Sequence, residues 1–279
     1  MTTTVLKRTT RSITTAPVKP GMGPGHEARH ILQSGHWDEY DPFLMLAEDW
    51  FVPGTFGDHP HRGIETVTYI IDGELQHRDN HGGRGVLGPG DAQWMTAGRG
   101  LIHCEEPHGP QVHTLQLWVN LPAASKLTPP RYQDLRGAEM PVRRERSAAI
   151  LRLFSGALGE LSSKTMNHVP VTMVDVRLEP GARVSLDLPA RDNAFIYVIE
   201  GRGRFGDDEA AAGGGSAVWF SRTETDAASA IAVQADESLH AILWAGPPLR
   251  EPVVARGPFV MNTEQQIVEA YQDFRAGRF

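Results

Sequence analysis

Two short segments carry most of the chemistry this chain can do: His59-Pro60-His61 and His103-Cys104-Glu105. Imidazole nitrogens and carboxylate oxygens bind divalent transition metals, and residues i and i+2 of an extended chain point to the same face. His59 and His61 therefore stand together, about 6–7 Å apart along a strand. His103 and Glu105 do the same, while Cys104 points to the other face and is expected to be a small buried residue. Three imidazoles and one carboxylate make an N/O site. It admits Fe(II), Mn(II), Ni(II), Co(II), Cu(II) or Zn(II), with Fe(II) suited to a site that keeps open positions.

His59-Pro60-His61 directly precedes the apolar run Ile64–Ile71, which is expected to be a strand. Glu65, Val67, Tyr69 and Ile71 share the parity of the two histidines, so Glu65 is expected to face the same interior. Imidazoles aimed into a barrel need partners, because unpaired buried polar groups are costly, and a metal supplies one. Gly98-Arg99-Gly100 precedes the second segment and permits a tight turn or a close approach of chains. Tyr69, Trp94, Met95 and Gln116 are candidates for the pocket or the core. His26, His30, His36, His77, His81 and His108 lie in polar, turn-like sequence and are expected at the surface.

The elements that must position these residues are short. Twenty-nine Gly and 20 Pro punctuate apolar runs such as Leu115–Leu121, Met173–Leu178, Phe195–Ile199 and Leu239–Trp244. The pattern is that of an all-β protein. An internal repeat organises it: Tyr69-Ile-Ile-Asp-Gly73 matches Tyr197-Val-Ile-Glu-Gly201, Trp94-Met-Thr96 matches Trp219-Phe-Ser221, and Leu117-Trp118 matches Leu243-Trp244. The offsets run from 125 to 128, which implies two copies of one β-domain, expected at 1–135 and 143–279. The same offsets carry His59, His61 and Glu65 onto Asp187, Pro189 and Asn193, and His103 and Glu105 onto Ser229 and Ile231. The second copy keeps the landmarks and lacks the ligands, so the histidines are not needed to build the fold. A C-terminal helix is expected to begin at a Thr263/Gln266 capping box and to dock a stripe of Ile267, Tyr271 and Phe274 on a barrel.

Net charge is −7, and the strongest basic cluster, Arg143, Arg144 and Arg146, is interrupted by Glu145. Direct nucleic-acid binding is disfavoured. Cys104 is the only cysteine, so no intrachain disulfide can form. No apolar run reaches membrane-spanning length, and Met1–Thr15 lacks the apolar core of a secretory signal. A monomer in the cytoplasm is the expectation.

The stretch His59-Pro-His-Arg-Gly-Ile-Glu-Thr-Val-Thr-Tyr69 resembles the hallmark segment of the pirin family of the cupin superfamily. So do Gly90-Asp-Ala-Gln-Trp-Met-Thr-Ala-Gly98, His113-Thr-Leu-Gln-Leu-Trp-Val-Asn-Leu-Pro122, Gly257-Pro-Phe-Val-Met-Asn-Thr263 and Gly277-Arg-Phe279. The resemblance spans both halves. It implies two cupin barrels (double-stranded β-helix, or jelly roll) in tandem, with one metal, Fe(II) foremost, in the N-terminal barrel only. The ligands it implies are His59, His61, His103 and Glu105. Most cupins use the carboxylate at the Glu65 position, whereas pirins place it beside the ligands. Some pirin-like proteins are quercetin 2,3-dioxygenases, which implies a flavonol and O2 as substrates and Glu105 or Glu65 as acceptor of the flavonol hydroxyl proton. Others resemble iron-dependent regulators, which implies a protein partner instead of turnover.

Overall fold

Short runs of Val, Ile, Leu and aromatic residues between glycine and proline turns fold as strands, because branched side chains pack well on a pleated surface. A computed structural model of the chain describes residues 5–32, 35–145 and 148–279, and strands dominate it. Among the described residues the one long helix is Glu264–Arg275, and no helix is long and apolar enough to cross a membrane.

The chain forms two compact units, one uniting Val18–Ala138 with Leu249–Phe279, the other uniting Met1–Pro17 with Glu139–Pro248. This division differs at both termini from the expected 1–135 and 143–279. The strand Thr10–Thr15 pairs antiparallel with Ser216–Phe220 and completes a sheet of the second barrel. The C-terminal segment belongs to the first. A repeat is counted along the chain and is blind to such an exchange of ends. Arg143 of the basic cluster pairs with Glu145 at 3.2 Å, and Arg146 lies outside the described residues.

The first barrel has a seven-stranded sheet in the order Arg131–Leu135, Ala92–Thr96, Ile64–Asp72, Val112–Asn120, Phe43–Phe51, Glu27–His30 and Lys19–Pro20. Its four-stranded sheet runs His59–His61, Leu101–Pro107, Leu75–Asp79 and Arg84–Leu87. The chain changes sheets at Gly63, whose φ is +80° and where a Cβ would lie 2.0 Å from the Val260 carbonyl oxygen. Only glycine fits there.

The C-terminal segment is bound to this junction. The Lys126 ammonium is buried and donates to the carbonyls of Gly63 and Val260, both at 2.9 Å, and to Asn120 Oδ1 at 2.5 Å. Three donors thus meet three acceptors, although burial lowers the Lys126 pKa to about 7. Arg62 pairs with Asp273 at 2.9 Å and lies 4.4 Å over the Phe279 ring. The Thr263/Gln266 capping box forms as expected. Ile267 and Ala270 of the helix are buried with Phe259 and Met261, and Tyr271, Phe274 and Phe279 pack alongside.

The second barrel repeats the plan. Its main sheet runs Val142–Glu145, Ala149–Ser155, Thr172–Leu178, Leu239–Gly246, Asn193–Glu200, Ser216–Phe220 and Thr10–Thr15. Its interior is closed by apolar side chains, among them Leu186, Leu188, Ile196, Val218, Ile231 and Leu243.

Candidate metal centre

Neighbouring strands bring the two histidine segments together. His103 stands opposite His59, and Leu101 stands opposite His61. The ring centroids of His59, His61 and His103 are 4.3–5.1 Å apart, and one ligand nitrogen from each lies within 4.8 Å of the others. His59 Nδ1 is 2.9 Å from the Gly57 carbonyl, which can only accept, so Nδ1 carries the proton and Nε2 keeps its lone pair.

His61 and His103 are buried, and His61 Nδ1 and both ring nitrogens of His103 have no hydrogen-bond partner among the described residues. Such nitrogens cost free energy unless something occupies them. Burial, assisted by the neighbouring His59, pushes the His61 pKa down to about 3. Burial and the surrounding imidazoles hold His103 well below the ordinary histidine value. Both are therefore neutral, which is the form that coordinates a metal. The donor set, its convergence and its unpartnered nitrogens fit a divalent transition ion.

Glu105 enters the same space from the His103 strand, but other groups hold it. Its Oε1 accepts from Thr68 Oγ1 at 3.1 Å and from Gln93 Nε2, and its Oε2 accepts from Gln116 Nε2 at 2.9 Å. Trp118 Nε1 in turn donates to Gln116 Oε1 at 3.1 Å. Within ligand distance Glu105 groups with His103 and His77, so His103 is common to both triplets.

His77 was expected at the surface and is buried instead. It stands opposite Glu105, lies 3.1 Å from Asp79 Oδ2 and stacks on Tyr132 at 4.2 Å. The signal is that His77 shares the parity of the apolar Leu75 in a strand whose alternate residues, Gln76 and Arg78, are polar and exposed. His26, also expected outside, is buried against Asp49 at 2.9 Å.

Glu65 does not join the cavity. It is buried, accepts from Thr96 Oγ1 at 2.7 Å and lies 3.9 Å from Arg131. The sheet change at Gly63 resets the parity, so the cavity side of this strand carries Thr68. Glu65 is thus corrected from a site residue to a member of the opposite face. Of the other candidates, Gln116 lines the cavity, while Met95 packs with Leu44, Ile64, Ala97 and Leu101. Tyr69 and Trp94 are fully buried and do not line the cavity. Cys104 is buried as expected, with Sγ 3.3 Å from the Phe56 carbonyl.

The cavity measures about 1000 Å³, with Met45, Phe51, Phe56, Trp118 and Val260 among its apolar walls. That is the upper range for a small-molecule pocket. Ala255, Gly257, Pro258 and Val260 of the C-terminal segment contribute to it.

Two barrels of one plan, one holding a histidine-lined cavity, define a bicupin. Residues 24–119 match the family model described as "Pirin", and residues 173–279 match "Pirin C-terminal cupin domain". Human pirin is 38% identical over 282 aligned positions, covering 96% of this chain and 92% of that protein. A crystal structure of quercetin 2,3-dioxygenase from Acinetobacter baumannii is 32% identical, with a TM-score of 0.84 and 98% of each chain covered. A bacterial pirin from Escherichia coli, solved in complex with nickel(II), has a TM-score of 0.65 at 20% identity, covering 85% of this chain and 99% of that one. The last is a likeness of fold alone. The chain belongs to the pirin family.

Proposed function

We propose that this pirin is a metal-dependent dioxygenase that opens the ring of quercetin or a related flavonol with O2, releasing carbon monoxide. The observation that carries the reading is the His59, His61 and His103 triplet, with unpartnered buried nitrogens on His61 and His103, beside a cavity that His59 and His61 line and that is large enough for a flavonol. The 32% identity to a protein described as a quercetin 2,3-dioxygenase supports it.

The ion would be held by His59, His61 and His103, with Glu105 as the fourth ligand. Fe(II) is the favoured metal, and an imidazole and carboxylate donor set accepts other divalent ions as well. When bound, the metal supplies Lewis acidity toward the flavonol 3-oxygen. Glu105 is the group placed to accept the 3-hydroxyl proton, and the Thr68, Gln93 and Gln116 donors fix the direction of its carboxylate. Trp118, whose ring lies 5.0 Å from that of His61, and Val260 keep water from the reacting face.

The test is to load the protein with Fe(II), add quercetin in air, and follow loss of its visible absorbance together with oxygen uptake and carbon monoxide release. Coupled, stoichiometric changes are expected. Absence of turnover in every metal form overturns the reading for this substrate and favours a regulatory role through a protein partner.

A further inference from the structure

A second polar group faces the cavity away from the histidines. Asp49 lies on the Phe43–Phe51 strand and lines the cavity with His26. The Met22 backbone N–H donates to His26 Nδ1 at 2.9 Å, so the ring proton sits on Nε2 and is donated to Asp49 Oδ1 at 2.9 Å. The ring is wedged edge-on against Phe56 and Phe51, with centroids at 5.1 and 6.4 Å. Gly21 lets the preceding loop close over it, since a Cβ there would lie 2.2 Å from His26 Nδ1. The carboxylate is thus aimed by a ring that is itself fixed. Its other oxygen, Oδ2, accepts no hydrogen bond from the described residues. That oxygen is open to the cavity and free to take a donor from whatever enters it.

Its distance from the metal centre follows from the strand register. Trp118 touches the His61 ring, Gln116 holds Glu105, and Thr114 stands opposite Asp49. Trp118 to Thr114 is about 13 Å of strand, which leaves Asp49 on the order of 10 Å from the histidines. That is the scale of a planar three-ring phenol.

We propose that Asp49, oriented by His26, accepts a hydrogen bond from a substrate hydroxyl remote from the metal, and so selects flavonols hydroxylated on both ends over those that carry only the metal-binding oxygens. This rests on a phenolic ligand occupying the cavity, as in the proposed function. Two readouts keep the two apart.

Asp49→Asn keeps an acceptor for His26 and removes the charge. Fe(II)-loaded wild type and variant are titrated without oxygen by tryptophan fluorescence, using quercetin and 3-hydroxyflavone, and oxygen uptake is then measured with each. The wild type should prefer quercetin. In the Asp49→Asn variant the ratio of the two Kd values should fall about tenfold or more, with KM moving and kcat following little. His26→Gln, which leaves the carboxylate unaimed, should lower the ratio severalfold and serves if the first variant does not fold. A ratio unchanged within twofold overturns the inference even if flavonols are turned over. A lost preference without any turnover supports the inference and removes the dioxygenase reading. Failure of wild type to bind either compound overturns both.

Discussion

The two barrels share a sheet plan and differ in what their inner faces carry. In the first, Gln93, Thr68, Gln116 and Ala47 lie side by side across four strands. In the second, the corresponding row reads Val218, Ile196, Leu243 and Val174. The polar row clamps Glu105, whereas the apolar row shares its core with Ile231. Where the first barrel aims His59 and His61 inward, the second aims Leu186 and Leu188. Each such apolar side chain contributes about 1.5–3 kcal/mol when buried. The first barrel forgoes that and keeps a cavity of about 1000 Å³ instead. The paired strands Val254–Arg256 and Phe259–Met261 and the helix Glu264–Arg275, with Phe259, Met261 and Ile267 buried, offset part of the loss. Registers and turns build the fold. The polar inner face holds Glu105 in place.

The sharpest way to break the comparison is to put the first barrel's chemistry into the second. Ile231→Glu sets a carboxylate in an interior whose neighbouring row offers no donors. It should cost more than about 4 kcal/mol, read as early unfolding of the second barrel in urea with hydrogen exchange assigning the region. A loss under about 1 kcal/mol would show that this interior tolerates a ligand-like group, and the contrast would fail.

The reverse exchange, His103→Leu, should abolish tight metal binding, by more than about 100-fold given that even groups merely supporting ligands are worth 10- to 100-fold. It should still leave a folded chain. Its apo form should also resist acid better than the wild-type apo form. Burial depresses the folded-state pKa of His61 and His103 below the unfolded value near 6.5. Their contribution is therefore fully present above pH 6.5 and is lost as pH falls, toward about 3 for His61. Thermal melts of chelator-treated protein from pH 7 to 4 give the comparison. A wild-type melting temperature that stays flat over that range would contradict the burial of neutral rings.

How much of this was legible in the sequence depended on whether a local rule held across a turn. Alternation within one strand placed His59 with His61 and His103 with Glu105, because nothing interrupts those strands. The same alternation failed for Glu65, because Gly63 moves the chain to another sheet. Letter matching also slipped by one residue. Leu117-Trp118 aligns with Leu243-Trp244, yet Gln116 and Leu243 hold the equivalent inward position, each paired with the central residue of its row. Likewise Asp187 and Pro189 fall at the histidine offset but are exposed, while Leu186 and Leu188 point inward. The exchanged ends and the His26–Asp49 pair depend on contacts between distant segments, for which a single sequence carries no local sign.

The smallest expected effect probes the polar row itself. Gln93→Val gives the first barrel the residue that the second has at that place. Glu105 then loses one donor to Oε1 and keeps Thr68 on that oxygen and Gln116 on the other. The carboxylate stays where it is but is aimed less tightly. Metal affinity should fall about tenfold, measured by competition with a chromophoric chelator. Stability of the apo form should change little, because a buried amide is exchanged for an apolar side chain of smaller volume. If affinity is unchanged, Glu105 does not bind the ion, and the centre is the three-histidine set alone. If affinity collapses as in His103→Leu, the amide row does more than orient Glu105, and the polar inner face is itself part of the metal site.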